Sequence, residues 1–118
     1  MARNIADRVH DLVNAEREKR GLPQAHWNQG LANLAQSQAA YCARVGRLVH
    51  SNRYAFQGGE NLAQVPRGPN AKTIVDCWMH SKAGHREYLL SCRVKSAGVG
   101  VIGKGRWAYA AWAFSDEA

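Results

Sequence analysis

The chain has 118 residues, of which 46% are apolar and 21% charged, a balance that excludes a disordered tail and fits one folded domain over residues 1–118. Its formal charge of +7 and pI of about 9.8 favour anionic partners without choosing among them. No apolar run approaches the roughly 18 residues of a membrane span, Met1-Ala2-Arg3-Asn4 leads into amphipathic sequence with no signal-peptide core, and three cysteines are too few for a disulfide scaffold or a four-cysteine zinc site.

Between Asn4 and Arg20 the apolar residues Ile5, Val9, Leu12 and Val13 recur at helical spacing, with Asp7 near the front and Arg17, Lys19 and Arg20 at the back. This predicts a first helix and makes its basic end a complement to the helix dipole rather than a nucleic-acid arm. Gly21-Leu22-Pro23 stops it, because Gly supplies a left-handed cap and Pro cannot continue the ladder. Asn28 then caps a second helix, with Leu31, Leu34, Ala35, Gln38, Ala39, Cys42 and Val45 on one side and an end near Gly46. Its alanines predict close packing, and Trp27, just before the cap, is placed to staple the start of the helix to the core.

From Ser51 to Asn70 periodicity is lost, and Gly58-Gly59 and Pro66-Arg67-Gly68-Pro69 mark a loop with room for a short strand. Asn70 opens a third helix through Ile74, Val75, Trp78 and Met79, which Gly84 interrupts before a short helical piece from His85 to Leu90. Val99-Gly100-Val101-Ile102, Gly103-Lys104-Gly105 and the stretch from Arg106 to Phe114 read as a β-hairpin. Trp107 and Tyr109 fall on one parity of its second arm, Trp112 and Phe114 on the other, so that strand is central and covered by helices on both faces. The fold class is therefore α/β, helix-rich with a small antiparallel sheet.

Five histidines are available, and context ranks them. His10 lies beside the apolar stripe of the first helix and reads as solvated; His26, in a turn before Trp27, reads as structural. His50 ends Leu48-Val49-His50 at the rim of the second helix, while His80 and His85 flank the Gly84 break. Glu60 follows Gly58-Gly59 in a stretch poor in carboxylates. A carboxylate tucked there must be paired or hydrogen-bonded, either as a ligand or by accepting amides that hold the loop closed. Two imidazoles and a carboxylate are the ligand set of many open zinc sites, but His50, Glu60 and His85 come from separate segments and lack the local spacing of a zinc-binding helix.

Taken in order, several motifs resemble the CAP superfamily, which includes cysteine-rich secretory proteins, insect venom antigen 5 and plant pathogenesis-related class 1 proteins. They are Leu12-Val13-Asn14 with Arg17 and Arg20-Gly21-Leu22-Pro23, Trp27-Asn28, His50-Ser51, Gly59-Glu60-Asn61-Leu62, Trp78-Met79-His80-Ser81 with Gly84-His85-Arg86, and Gly98-Val99-Gly100-Val101 with the aromatic strand after it. The resemblance spans nearly the whole chain, points to the short prokaryotic branch, and implies a three-layer α-β-α sandwich with a small antiparallel sheet between helices. It also implies a cleft lined by two histidines and two acids, where some members hold zinc or another divalent cation. His50 and His85 match the histidines and Glu60 the acid of the Gly-Glu-Asn motif, but Ser81 stands where the second acid would be. A hydroxyl binds divalent cations weakly, so the expected metal ligands are His50, His85 and Glu60, with Ser81, His80 and Asn61 lining the cleft. Cys42 lacks the partner before Gly84 that plant relatives carry. A Cys77–Cys92 bridge, which needs α-carbons within about 7 Å, and three reduced thiols both stay open.

The resemblance implies a secreted-type binding module, extracellular or at the cell envelope and expected to be monomeric, whose cleft holds a divalent cation and engages a lipid, sterol-like or anionic cell-envelope ligand. The alternative is a metal-dependent, protease-like hydrolase in which the same side chains activate water or act as general acid and base. Ser81, four positions before His85, adds a nucleophile-and-base arrangement without an evident third residue to orient it. Nucleic-acid binding rests on charge alone and ranks last.

Overall fold

The computed structural model describes residues 4–51, 58–68 and 70–117. Helix α1 (Ile5–Glu18) starts on Asn4, whose side chain accepts the Asp7 amide at 2.8 Å. Helix α2 (Gln29–Val45) starts on Asn28, which accepts from Leu31, and stops at Gly46 in the left-handed conformation. Between them lies β1 (His26–Trp27); after them come β2 (Gly58–Pro66), α3 (Ala71–Met79), α4 (His85–Leu89) and the hairpin β3 (Ser96–Lys104) and β4 (Trp107–Ser115). The sheet runs β1-β3-β4-β2, with β4 central and antiparallel to both neighbours.

Alternation along the strands makes two cores, one on each side of the sheet. Tyr109, Ala111 and Ala113 of β4, with Leu62 of β2, meet the small residues Ala35, Ala39, Cys42 and Ala43 of α2. The other parity, Ala110, Trp112 and Phe114 with Ala63, Val65 and Val99, lies under Val9, Val13, Ile74 and Trp78 of α1 and α3. The result is a three-layer α-β-α sandwich. Its first spacing is set by Gly98, where a Cβ would stand 2.1 Å from the Ala32 nitrogen. The backbone of α2 therefore rests directly on β3.

Several expectations change against this frame. The short strand allowed for within the expected loop is nine residues long, Gly58–Pro66, and pairs with β4 from Gly58↔Ser115 to Pro66↔Trp107. Burial on both faces removes the polar alternation that would have revealed it, and the Trp78 indole N–H donates to the Leu62 carbonyl at 3.0 Å. Residues 52–57 and Pro69 of the same expected loop lie outside the described residues. The sheet is mixed rather than purely antiparallel, since β1 pairs with β3 in parallel over two residues. On α2, Ala32 and Ala43 are buried while Val45 is exposed, because close contact with a glycine-bearing strand selects small side chains.

Trp27 does not staple α2 to the core: it is 37% exposed and meets the His10 ring edge-to-face at 5.2 Å. His10, expected to be solvated, is thus packed on Trp27, with the Asn14 side chain 3.3 Å from its Nε2. Arg17, read from sequence as a complement to the helix dipole, is fully buried. Its guanidinium donates to the carbonyls of Pro23, Leu89, Ser91 and Val94 at 2.8–3.4 Å, fastening α1 to the segment that follows α4. Fork geometry suits that task, since one planar group reaches several acceptors. Cys42, Cys77 and Cys92 are all free thiols. Among the described residues no helix is long and apolar enough to cross a membrane.

Candidate functional site

The first half of β2 builds the site, because consecutive strand residues point to opposite faces. Glu60 shares the α2 side of the sheet with Leu62; Asn61 shares the α3 side with Ala63. Glu60 is buried, and its Oε2 accepts the Ser51 backbone N–H and pairs with His50 Nδ1 at 2.9 Å. Asn61, fully buried, donates from Nδ2 to the His85 carbonyl at 2.9 Å. Two neighbouring residues of one strand therefore grip the two histidine-bearing segments from either side.

His85 opens α4 directly after Gly84, whose φ of 102° is a conformation that side-chain-bearing residues rarely adopt. That turn folds Ser81 back, so that its Oγ accepts the Ala83 N–H at 3.0 Å and lies 2.8 Å from His85 Nδ1. Each imidazole is thus held through Nδ1. Among the described residues, Nε2 of His50 and of His85 makes no hydrogen bond. Both rings line one cleft of about 500 Å³ with Glu60, Asn61, Glu87 and Tyr88. The Tyr88 ring forms part of the wall by packing edge-to-face on Phe114 at 5.2 Å.

Two features describe the polar groups around the cleft. Glu60 Oε1 and Asn61 Oδ1 are buried acceptors without a partner among the described residues, and leaving such an atom unpaired costs about 1–3 kcal/mol. Burial first, and then the nearby His50 ring, push the His85 pKa below its ordinary 6.5, with Glu87 opposing. His85 is therefore mainly neutral at pH 7, the state in which an imidazole nitrogen accepts a proton or a cation.

Among the described residues, no three His, Cys, Asp or Glu side chains gather into a metal-binding group. Glu60 spends Oε2 on His50 and Ser51. The imidazole nitrogens left without a hydrogen bond among the described residues are the two Nε2 atoms, with Glu60 and Ser81 orienting the rings through Nδ1.

Of the residues picked from sequence, His50, Glu60, Asn61 and His85 line the cleft. Ser81 reaches it through His85, whereas His80 is exposed at the end of α3 and is not part of the lining. Sequence reasoning missed Glu87 and Tyr88. Their signal was present, since Tyr88 sits one helical turn after His85 and so shares its face.

The sequence model described as the cysteine-rich secretory protein family (CAP) matches residues 10–115. Pathogenesis-related protein 1 of Arabidopsis thaliana is 33% identical over 89 residues, covering 73% of this chain and 53% of that protein. The chain thus spans about half the length of this curated relative. Venom allergen-like protein 4 of Schistosoma mansoni superposes with a TM-score of 0.74 at 16% identity, over 97% of this chain and 89% of that one. An extracellular protein of Bacillus anthracis containing an SCP domain superposes with a TM-score of 0.70 at 18% identity, over 92% of this chain and 39% of that one. At such identities the two structural matches establish the fold.

Proposed function

The chain belongs to the cysteine-rich secretory protein (CAP) family, and from that premise we propose that it is a binding module whose cleft between His50, Glu60 and His85 engages a ligand outside the cell or at its envelope. The description of a structural relative as extracellular supports that setting. One observation carries the reading: two imidazoles, each anchored through Nδ1 and with Nε2 free of hydrogen bonds among the described residues, line one cleft together with Glu60, Asn61 and Tyr88. A zinc or similar divalent cation on His50 and His85 would supply positive charge for an anionic or hydroxyl-bearing headgroup. Glu60 fixes the His50 ring, Ser81 fixes the His85 ring, and Tyr88 offers an apolar wall. The ligand class we infer is accordingly a lipid, sterol-like or anionic envelope molecule.

Zinc titration by calorimetry at pH 7.5, on wild type and His85→Ala, tests the cation. Binding in wild type that His85→Ala abolishes supports it; no heat from wild type ends it. Quenching of a fluorescent sterol analogue by Tyr88→Ala against wild type tests the ligand independently of metal.

A second reading, hydrolysis, draws on the 2.8 Å contact between Ser81 Oγ and His85 Nδ1, with neutral His85 able to take the hydroxyl proton. Against it, Ser81 already accepts the Ala83 amide. Turnover of a p-nitrophenyl ester that Ser81→Ala abolishes would favour this reading over binding alone.

A further inference from the structure

At the other end of the sheet from the cleft lies a second concave surface. The cleft sits where Gly58 pairs with Ser115; eight residues on, Pro66 pairs with Trp107, roughly 25 Å away at the rise of a strand. There the Lys104-Gly105-Arg106 turn of the hairpin meets the C-terminal end of α2 in a groove of about 460 Å³, lined by Arg44, Gly46, Lys104, Arg106 and Trp107. Trp107 is 39% exposed at its edge.

The groove is basic and lacks counter-charges. The sequence has no acidic residue between Lys19 and Gly59, or between Tyr88 and Ser115. Among the described residues, none of Arg44, Arg47, Lys104 and Arg106 is in an ion pair, whereas Lys19, Arg20, Lys72 and Arg93 all are. Arg44 and Arg47 complement the dipole of α2 at its C-terminus. Lys104 and Arg106 have no such explanation, because they come from a hairpin turn. Convergence of two elements on one acid-free groove concentrates positive potential there.

We propose that this groove docks a linear acidic polysaccharide. Guanidiniums pair with carboxylate or sulfate oxygens in a bidentate way, and the part-exposed Trp107 side chain in the lining supplies aromatic surface against which a sugar ring can pack. Single-stranded nucleic acid would instead need successive aromatic platforms along the groove. Tyr109 is buried here, and the Tyr41 ring is already covered by the Arg44 guanidinium at 5.2 Å. The surface shares no lining residue with the histidine cleft, so it stands whatever that cleft binds.

The test uses heparin as acidic polysaccharide, dextran as its neutral counterpart and oligo-dT as a nucleic acid, with affinities measured by calorimetry at several salt concentrations. Wild type should bind heparin and not dextran, with log affinity falling against log salt at a slope of about −2 to −3 for ion pairs to the three lining cations Arg44, Lys104 and Arg106. Lys104→Glu/Arg106→Glu should weaken heparin binding at least tenfold. Trp107→Ala should weaken it about threefold or more with the slope unchanged. Lys19→Glu/Lys95→Glu, an equal change in net charge elsewhere, should stay within twofold. Melting temperatures check each fold, and Arg106→Gln alone replaces the double variant if that one melts early. Equal losses in the control pair would overturn the proposal. So would oligo-dT binding as tight as heparin with no effect of Trp107→Ala.

Discussion

Replacing Arg17 by Met keeps the side-chain length and removes the guanidinium, and the buried position makes the consequence calculable. Four carbonyls, those of Pro23, Leu89, Ser91 and Val94, lose their donor at once. Burial already draws the Arg17 pKa below its ordinary value, with Cys92 opposing, so part of the lost hydrogen bonding is offset by the desolvation that Met avoids. Breaking a buried charged network typically costs about 3–5 kcal/mol. In a domain of this size, where 1 kcal/mol moves Tm by roughly 3–5 °C, that is a fall of about 10–20 °C. The assay is a thermal melt followed by Trp fluorescence, reporting on buried Trp78 and Trp112. Because two of the acceptors, Leu89 and Ser91, lie at the end of α4, the His85 ring at its start should also shift in a proton–nitrogen NMR spectrum. Arg17→Lys should recover less than half of the loss, since an ammonium lacks the planar fork. A Met variant melting within 2–3 °C of wild type would refute the reasoning.

Gly98→Ala forces a Cβ to within 2.1 Å of the Ala32 nitrogen; backbone must move, so a loss of about 3 kcal/mol or more is expected in urea unfolding, at the top of the overpacking range. Trp112→Ala, at a fully buried site, should cost about 3–5 kcal/mol, read in the same assay. Glu60→Gln keeps an acceptor for the Ser51 amide but drops the charge facing His50, so zinc affinity should fall about 10- to 100-fold with little change in metal-free Tm. A large metal-free drop would instead make Glu60 chiefly a tie holding residues 50–51 to β2. Because the folded His85 pKa lies below 6.5, the unfolded chain binds more protons there. The stability linked to this group is fully present above pH 6.5 and is lost as pH falls through the folded pKa. Tm should hold between pH 7 and 8 and drop below 6.5, less steeply in His85→Gln; an equal drop in that variant would contradict the assignment.

Much of this protein is legible from local pattern. The existence of α1, α2 and α3 follows from periodicity, and the bounds of α2 from the caps Asn28 and Gly46, because those signals act within one helical turn. The centrality of β4 is visible in aromatics on both parities, and His50, Glu60 and His85 are each conspicuous in their own segment. What sequence alone left open is what depends on distant chain. Strand β2 was hidden because it is buried on both faces, and its identity comes from β4, nearly fifty residues on. In sequence Arg17 is one of three cations at a helix end; its buried role needs the carbonyls of Leu89, Ser91 and Val94, which only the fold brings to it. The roles within the cleft were decided in the same way: Glu60 orients one imidazole, Asn61 holds the backbone of the other, and His80, though next to Ser81, turns outward. Short-range signals fix helices because the partners of each hydrogen bond lie four residues apart; which polar group meets which across the cleft is fixed only when the sheet brings separate segments into register.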